Sequence, residues 1–432
     1  MTDLEQHLNA LEDQGLYRRM RLISGPQGAR VLLDGKPVLL MCSNNYLGLA
    51  DHPRVREAAA DAARRWGVGS SGSRLISGNM TVHRRLESRL AEFKGTDAAL
   101  LFGSGYMANA GIIPALSQQG EVIFSDELNH ASIVDGCRLS RAETFIYDHG
   151  DLEHLAWGLR QNSGRASLIV TDSVFSMDGD IAPLEGIVEL AHNNDVRVMV
   201  DEAHATGTVG PEGRGAVAAL GLTGEIDVIV GTLSKALGAY GAFAACDTQV
   251  ARYLVNSARS FIYSTAPSPP VVAAAAEALE ILIEQPRRVT RLRQNAEFFR
   301  RELARRGFDV AENASNRAPH IVPLVIGDPE LAMKMSQEAL ERGVFAQAIR
   351  PPTVPDGMSR IRAAVMSSHK PDELTAAAHV LAKAAISVGF TPGERMPGEF
   401  GPPQTITAQR SSKSEPRGSG VYDEDSDELA VA

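Results

Sequence analysis

Three cysteines among 432 residues, Cys42, Cys137 and Cys246, leave little room for sulfur chemistry. They are far apart and show no C-x-x-C spacing, which excludes a disulfide framework and a cysteine-based zinc site. Basic charge is also scarce: 43 Lys and Arg stand against 53 Asp and Glu, a formal net charge of −10. That balance argues against a general nucleic-acid binder, which presents a basic face. No uninterrupted apolar run approaches the ~20 residues that a membrane-spanning helix needs. The segment Met1 to His7 lacks the basic and apolar regions of a secretory signal. The expectation is a reduced, cytoplasmic protein with no nucleic-acid or membrane partner. What remains is 44% hydrophobic and 22% charged, ordinary for a soluble globular chain and long enough for two or three domains.

Leu4, Leu8, Leu11 and Leu16 are spaced for one face of a helix running to about Gly25, and Ala29–Met41 reads as a hairpin turning at Asp34-Gly35. From about Asn45 to Pro270, short apolar runs alternate with helical stretches: Ala98–Phe102, Glu121–Phe124, Leu168–Val170, Val196–Val200 and Ile226–Val230. Such runs predict an α/β fold with a mostly parallel sheet flanked by helices, whose ligands gather at the carboxyl ends of the strands. A long helical region, Val271 to Arg306, leads to strands at Ile321–Ile326, Val344–Ile349 and Arg360–Val365, a smaller α+β domain. The expected boundaries are 1–45 for the N-terminal helix and hairpin, 46–275 for the large domain, 276–390 for the small one and 391–432 for an acidic tail. The tail is rich in Pro, Gly, Ser and Thr, and disorder is expected because it offers too little apolar surface to offset its ordering entropy.

The chemistry concentrates in Gly231-Thr-Leu-Ser-Lys-Ala-Leu-Gly238, just past one apolar run, and in Asp201-Glu-Ala-His204, just past another. A strand delivering Asp201 and a later strand delivering Lys235 is what a pyridoxal phosphate site requires. The amine carries the cofactor as a Schiff base, and the carboxylate keeps the pyridine nitrogen protonated so the ring accepts electrons. His204, three residues after Asp201, is placed to brace the cofactor. Leu101-Phe-Gly-Ser-Gly-Tyr106 offers backbone N–H groups at a helix start, and with Thr232 and Ser234 makes a phosphate cradle. His130 lies just beyond a strand, where it could stack on a planar ring. Asp201 and His204 lack a further ligand at useful spacing, so no metal is expected.

Motifs in order along about 390 residues then resemble the α-oxoamine synthases, pyridoxal-phosphate transferases of fold type I. They are Ser43–Leu49, Gly69–Gly78, Leu128–Ser132, Val174–Asp180, Val200–Gly207, Gly231–Gly238, Phe261–Thr265 and Ile349–Pro355. The resemblance implies Lys235 as the Schiff-base lysine, Asp201 as partner of the pyridine nitrogen and His204 as ligand of the phenolic oxygen. It implies that His130 stacks on the ring facing the acyl substrate, that Gly105, Tyr106 and Thr232 meet the phosphate, and that Ser176 contacts the cofactor. Ser264 and Thr265 resemble residues that reach the phosphate of a neighbouring subunit, implying a homodimer with shared sites. Arg18 and Thr353 resemble substrate-contacting positions, and Arg362 the holder of the amino-acid carboxylate, a task suited to a planar two-pronged donor. Asn45 stands where one branch of the family often has Asp, and Leu128–Gly136 resembles the glycine-using ligase branch. Arg350–Pro355 instead resembles the acyl pocket of the branch serving biotin synthesis. The resemblance therefore implies condensation of L-alanine with a pimeloyl thioester, carried by coenzyme A or an acyl-carrier protein, with loss of carbon dioxide.

Overall fold

The computed structural model describes residues 3–13, 16–310, 318 and 320–393. Most of the expected acidic tail, residues 394–432, lies outside them. The first helix, Leu4–Asp13, is shorter than its leucine spacing predicts and buries no residue; Leu4 remains 76% exposed. Strands β1 (Ile23–Ser24), β2 (Arg30–Leu33) and β3 (Lys36–Leu40) follow, paired antiparallel in that order. The β2–β3 hairpin turns at Asp34 and Gly35, both with positive φ (49° and 79°), as a two-residue turn matched to strand twist requires.

The large sheet comprises β4 (Ala98–Phe102), β5 (Val122–Asp126), β6 (Glu143–Tyr147), β7 (Ala166–Asp172), β8 (Arg197–Asp201), β9 (Val228–Thr232) and β10 (Ala242–Cys246). Their order is β4-β10-β9-β8-β7-β5-β6. β5 through β9 pair parallel, while β10 runs antiparallel between β4 and β9. β6 and β10 were not among the runs read from sequence. β6 is only partly buried, so its apolar run is interrupted, and β10 is the small-residue strand Ala-Phe-Ala-Ala-Cys. Two clusters of buried side chains cover the sheet's faces, consistent with strands buried throughout their length.

The expected long helix after Pro270 is two helices, Pro269–Glu284 and Arg287–Ala304, separated at Gln285-Pro286 because proline cannot donate a mid-helix hydrogen bond. β11 (Ile321–Gly327), β12 (Val344–Phe345), β13 (Gln347–Ile349) and β14 (Ser359–Ala364) complete the strands of the described residues, with helices Pro329–Glu341 and Pro371–Ser387. The single run read over Val344–Ile349 is thus divided. β12 pairs parallel with β3 of the N-terminal hairpin, whereas β13 and β11 flank β14. This division ties the N-terminal hairpin to the C-terminal segment, and β14 meets the turn after β7 through Arg360 and Arg362.

Candidate active site

Lys235 follows β9 in a turn that closes through the Gly238 N–H donating to the Lys235 carbonyl at 3.0 Å. Gly238 has φ +63°, and a Cβ there would lie 2.4 Å from the backbone nitrogen of Ala50, so glycine is required on both counts. Lys235 Nζ lies 2.7 Å from His204 Nε2, and His204 Nδ1 lies 2.8 Å from Tyr46 Oη. Tyr46 Oη also meets Asn44 Oδ1 at 2.9 Å and accepts from Arg362 Nη2 at 3.3 Å. One set of donors satisfies the whole row: Lys235 donates to His204 Nε2, His204 Nδ1–H donates to Tyr46, and Tyr46 donates to Asn44. Burial foremost, with the charges of Lys235 and Arg362, holds His204 well below the usual imidazole range, so it is neutral as this row requires. Burial also pulls Lys235 down to about 8, against the opposing charges of Asp201 and Asp172.

Asp201 ends β8, and Asp172 stands beside it at the end of β7. Asp201 accepts from Asn109 Nδ2 and from the Ala203 N–H, each at 2.8 Å. Burial and the charge of Asp201 push the Asp172 carboxyl well above its usual range. Asp172 accepts the His130 N–H at 2.7 Å and so fixes the turn after β5. His130 Nδ1 accepts the Ser132 N–H at 3.2 Å, which places the proton of the neutral ring on Nε2. Burial is the main cause that lowers its pKa, Asp201 opposing and Lys235 assisting.

The helix Gly105–Leu116 begins beside this group, with Ser104 as N-cap accepting from the Met107 N–H at 3.2 Å. The N–H groups of Gly105 and Tyr106 belong to its first turn and have no intrahelical acceptor, and the space a Cβ would take at Gly105 is open. Thr232 Oγ1 and Ser234 Oγ lie 2.8 Å apart at the end of β9. Arg362, on β14, donates through Nε to the Ser176 carbonyl at 2.6 Å. Ser176 thus holds the arginine by its backbone.

The fold therefore brings together Lys235, His204, Asp201, His130, Arg362 and Ser176. Gly105, Tyr106 and Thr232 lie on the adjoining helix start and strand end. Ser264 and Thr265 sit on a surface segment bridged to Ser73, and none of their hydrogen bonds among the described residues reaches Lys235. Arg18 and Thr353 are exposed, and the Thr353 N–H donates to the Arg350 carbonyl. Burial, and then the charge of Arg18, lowers the pKa of Arg350, which places Arg18 near that end of β13. Sequence reasoning gave no role to Asn44, Tyr46, Asn109, Ser132 or Asp172. Asn44 and Tyr46 lay inside a quoted motif, but Asn109 meets Asp201 across 92 positions, a separation that carries no local signal.

The residues fit pyridoxal phosphate. A half-buried amine of lowered pKa, a buried carboxylate at the end of a neighbouring strand and a free helix N-terminus are the three anchors its aldehyde, ring nitrogen and phosphate need. Among the described residues, Asn109 Oδ1, on the amide that donates to Asp201, is buried with no hydrogen-bond partner.

Residues 36–381 match the family model for aminotransferase class I and II. The chain is 49% identical over 392 residues to the 8-amino-7-oxononanoate synthase of Citrifermentans bemidjiense, covering 90% of this chain and 100% of that protein. Among solved structures, the serine palmitoyltransferase of S. paucimobilis, with bound PLP, superposes with TM-score 0.84 at 33% identity, covering 89% of this chain and 97% of that one. The 8-amino-7-oxononanoate synthase of Francisella tularensis gives TM-score 0.69 at 27% identity, over 81% and 98% of the two chains. With a lysine, a carboxylate and a helix start arranged for the same cofactor, the chain belongs to the class I and II aminotransferase family and, within it, to the pyridoxal-phosphate-dependent 8-amino-7-oxononanoate synthases of biotin biosynthesis.

Proposed function

We propose that the protein condenses L-alanine with a pimeloyl thioester, releasing carbon dioxide and the free thiol carrier, as a cytoplasmic homodimer. The observation that carries this is the full-length identity to 8-amino-7-oxononanoate synthase, because that product's carbon count fixes its precursors. A nine-carbon acid with an amine on C8 and a ketone on C7 divides into seven carbons from a dicarboxylic acyl group and two from alanine after its carboxylate leaves. The likeness to serine palmitoyltransferase reflects the shared scaffold and cofactor site, at lower identity.

The bound cofactor supplies an electron sink for the pair left on the amino-acid Cα. Arg362, fixed by the Ser176 carbonyl and Tyr46 hydroxyl, holds the substrate carboxylate in a two-pronged grip. Lys235, drawn down to about 8, is a base near working pH and moves the Cα proton. Asp201, held by Asn109 and the Ala203 N–H, is the anion set against the ring nitrogen. His130 directs its Nε2–H to the thioester carbonyl, where loss of such a donor costs ~100-fold or more in rate. Arg18 and Thr353 contact the substrate. Dimerisation is supported by the Ser73–Thr265 bridge, which joins two exposed apolar segments, Leu75-Ile76 and Tyr263. Through this face Ser264 and Thr265 reach the partner's phosphate.

The test pairs alanine, glycine and serine with pimeloyl, acetyl, succinyl and palmitoyl thioesters. Turnover confined to alanine with pimeloyl donors, presented on coenzyme A and on acyl-carrier protein, is expected. Preference for glycine with an acetyl donor would overturn the assignment. Borohydride reduction followed by mass spectrometry should leave a pyridoxyl group on Lys235; labelling elsewhere would refute the site.

A further inference from the structure

His149 lies just past β6, outside the cluster around Lys235. Its Nδ1 meets Asp126 Oδ1 at 2.9 Å, and its Nε2 meets Asp180 Oδ2 at 2.8 Å. Both ring nitrogens therefore face carboxylates, and the ring stands edge-on to Phe175 with centroids 4.4 Å apart and planes at 85°. Its backbone N–H donates to Glu127 Oε1. Each carboxylate belongs to a turn that places a functional group. Asp126 accepts the N–H groups of Leu128 and Gly150, and so shapes the turn that leads to His130.

Asp180 closes the turn 174–181, whose Phe175 N–H donates to the Asp180 carbonyl at 3.0 Å. That turn supplies the Ser176 carbonyl to Arg362 and the Asp178 carboxylate to Arg360, so it is strapped to β14 at two points. Its only other carboxyl oxygen, Asp180 Oδ1, is buried without a partner, which makes His149 the group that satisfies this side chain among the described residues.

We propose that His149 is a positioning residue: by bridging Asp126 and Asp180 it locks the turn bearing His130 to the turn that fixes Arg362, and so sets the spacing between the acyl-side and carboxylate-side groups. This rests on the roles proposed above for those two residues. Burial lowers the pKa of His149, but the hydrogen bonds and charges of Asp126 and Asp180 prevail and raise it to about 10, so the bridge is an imidazolium at neutral pH. A neutral ring carries one N–H and could donate to only one of the two carboxylates, which breaks the bridge.

The test uses cofactor-loaded protein with His149→Gln, Asp180→Asn and the double variant. Five quantities are read: melting temperature, the cofactor absorbance band, alanine affinity from titrating that band without any thioester, kcat and KM. Alanine affinity and kcat in His149→Gln should each fall about tenfold, since small misplacements of substrate-holding groups have effects of this order or larger. The cofactor band should stay at the parent's intensity. Asp180→Asn should reproduce the affinity loss, and the double variant should be no worse than the more severe single, because both act through one bridge. Parent-like alanine affinity and kcat in His149→Gln, or losses that multiply in the double variant, would overturn the proposal. If His149→Gln does not fold, Asp180→Asn decides alone: unchanged alanine affinity refutes the bridge. A parent that binds alanine yet forms no product with any thioester would refute the acyl reading while leaving this measurement intact.

Discussion

At the residue scale, two titrating groups make opposite commitments. Lys235 is pushed down to about 8, chiefly by burial, so roughly a tenth of its amine is unprotonated at pH 7, far more than at the ordinary lysine value, and able to attack the cofactor's aldehyde. Covalent capture of pyridoxal phosphate by cofactor-stripped protein should therefore speed up with rising pH, half-complete near pH 8 in the growth of the cofactor's absorbance band. A midpoint near the ordinary lysine value would mean the amine is solvated. His149 is shifted upward, to about 10, by Asp126 and Asp180 against the effect of burial. A histidine whose folded pKa exceeds its unfolded value contributes stability that is complete below ~6.5 and disappears as pH rises through the folded pKa. The gap in melting temperature between the parent and His149→Gln should thus be widest below pH 6.5 and close as pH passes about 10. A gap independent of pH would show that the imidazolium charge contributes nothing.

At the element scale, the helix Thr81–Lys94 is fastened to the end of β8 by an ion pair deep in the core. Lys94 Nζ meets the Glu202 carboxylate with side-chain exposures of 1% and 0%, and also donates to Thr206 Oγ1 and the Arg214 carbonyl. Glu202 Oε1 accepts the Val217 N–H at 2.8 Å, so both partners have further hydrogen bonds. Lys94→Ala would strand Glu202 as a buried anion next to Asp201 and should destabilise the protein by ~3–5 kcal/mol in denaturant unfolding. A loss below ~1 kcal/mol would mean that water reaches Glu202. Gly238→Ala should cost about 3 kcal/mol, combining positive φ with a Cβ pressed against the backbone of Leu49 and Ala50. The same comparison shows how elements are legible. The β2–β3 hairpin could be read because its turn residues and alternation are local. β10 could not, because Ala-Phe-Ala-Ala-Cys has no strand periodicity of its own; it is a strand because β4 and β9 offer it partners on both sides.

At the scale of the whole molecule, the proposed homodimer carries a prediction of its own. The phosphate-facing roles proposed for Ser264 and Thr265 require a second copy, and those residues sit beside exposed Ile76 (85%) and Tyr263 (73%). Mixing Lys235→Ala with Thr265→Ala under subunit exchange would then regenerate one site having both wild-type residues. Recovered activity at limiting cofactor is the expected outcome, since each hydrogen bond to an ionised phosphate contributes ~1.5–3 kcal/mol. No recovery despite demonstrated exchange would mean that each subunit builds its site alone. Among the described residues no helix is long and apolar enough to cross a membrane.

The sequence by itself determined the cofactor, and it supplied the candidate anchors proposed for it. Lys235, Asp201, His204 and the glycines around Gly105 have chemistries tied to residue type, and each follows a strand whose apolar run is local. It also determined the alternation that makes a mostly parallel sheet. Only the tertiary structure decided what those anchors touch. Tyr46 reaches His204 across 158 positions, Asn109 reaches Asp201 across 92, and Arg362 reaches the Ser176 carbonyl across 186. Such pairs arise where strand order and crossovers bring distant turns to one edge of the sheet, and no window of sequence contains both members. The same holds for His149, an unremarked histidine in sequence whose charge is set by two carboxylates delivered from a strand end and a distant turn.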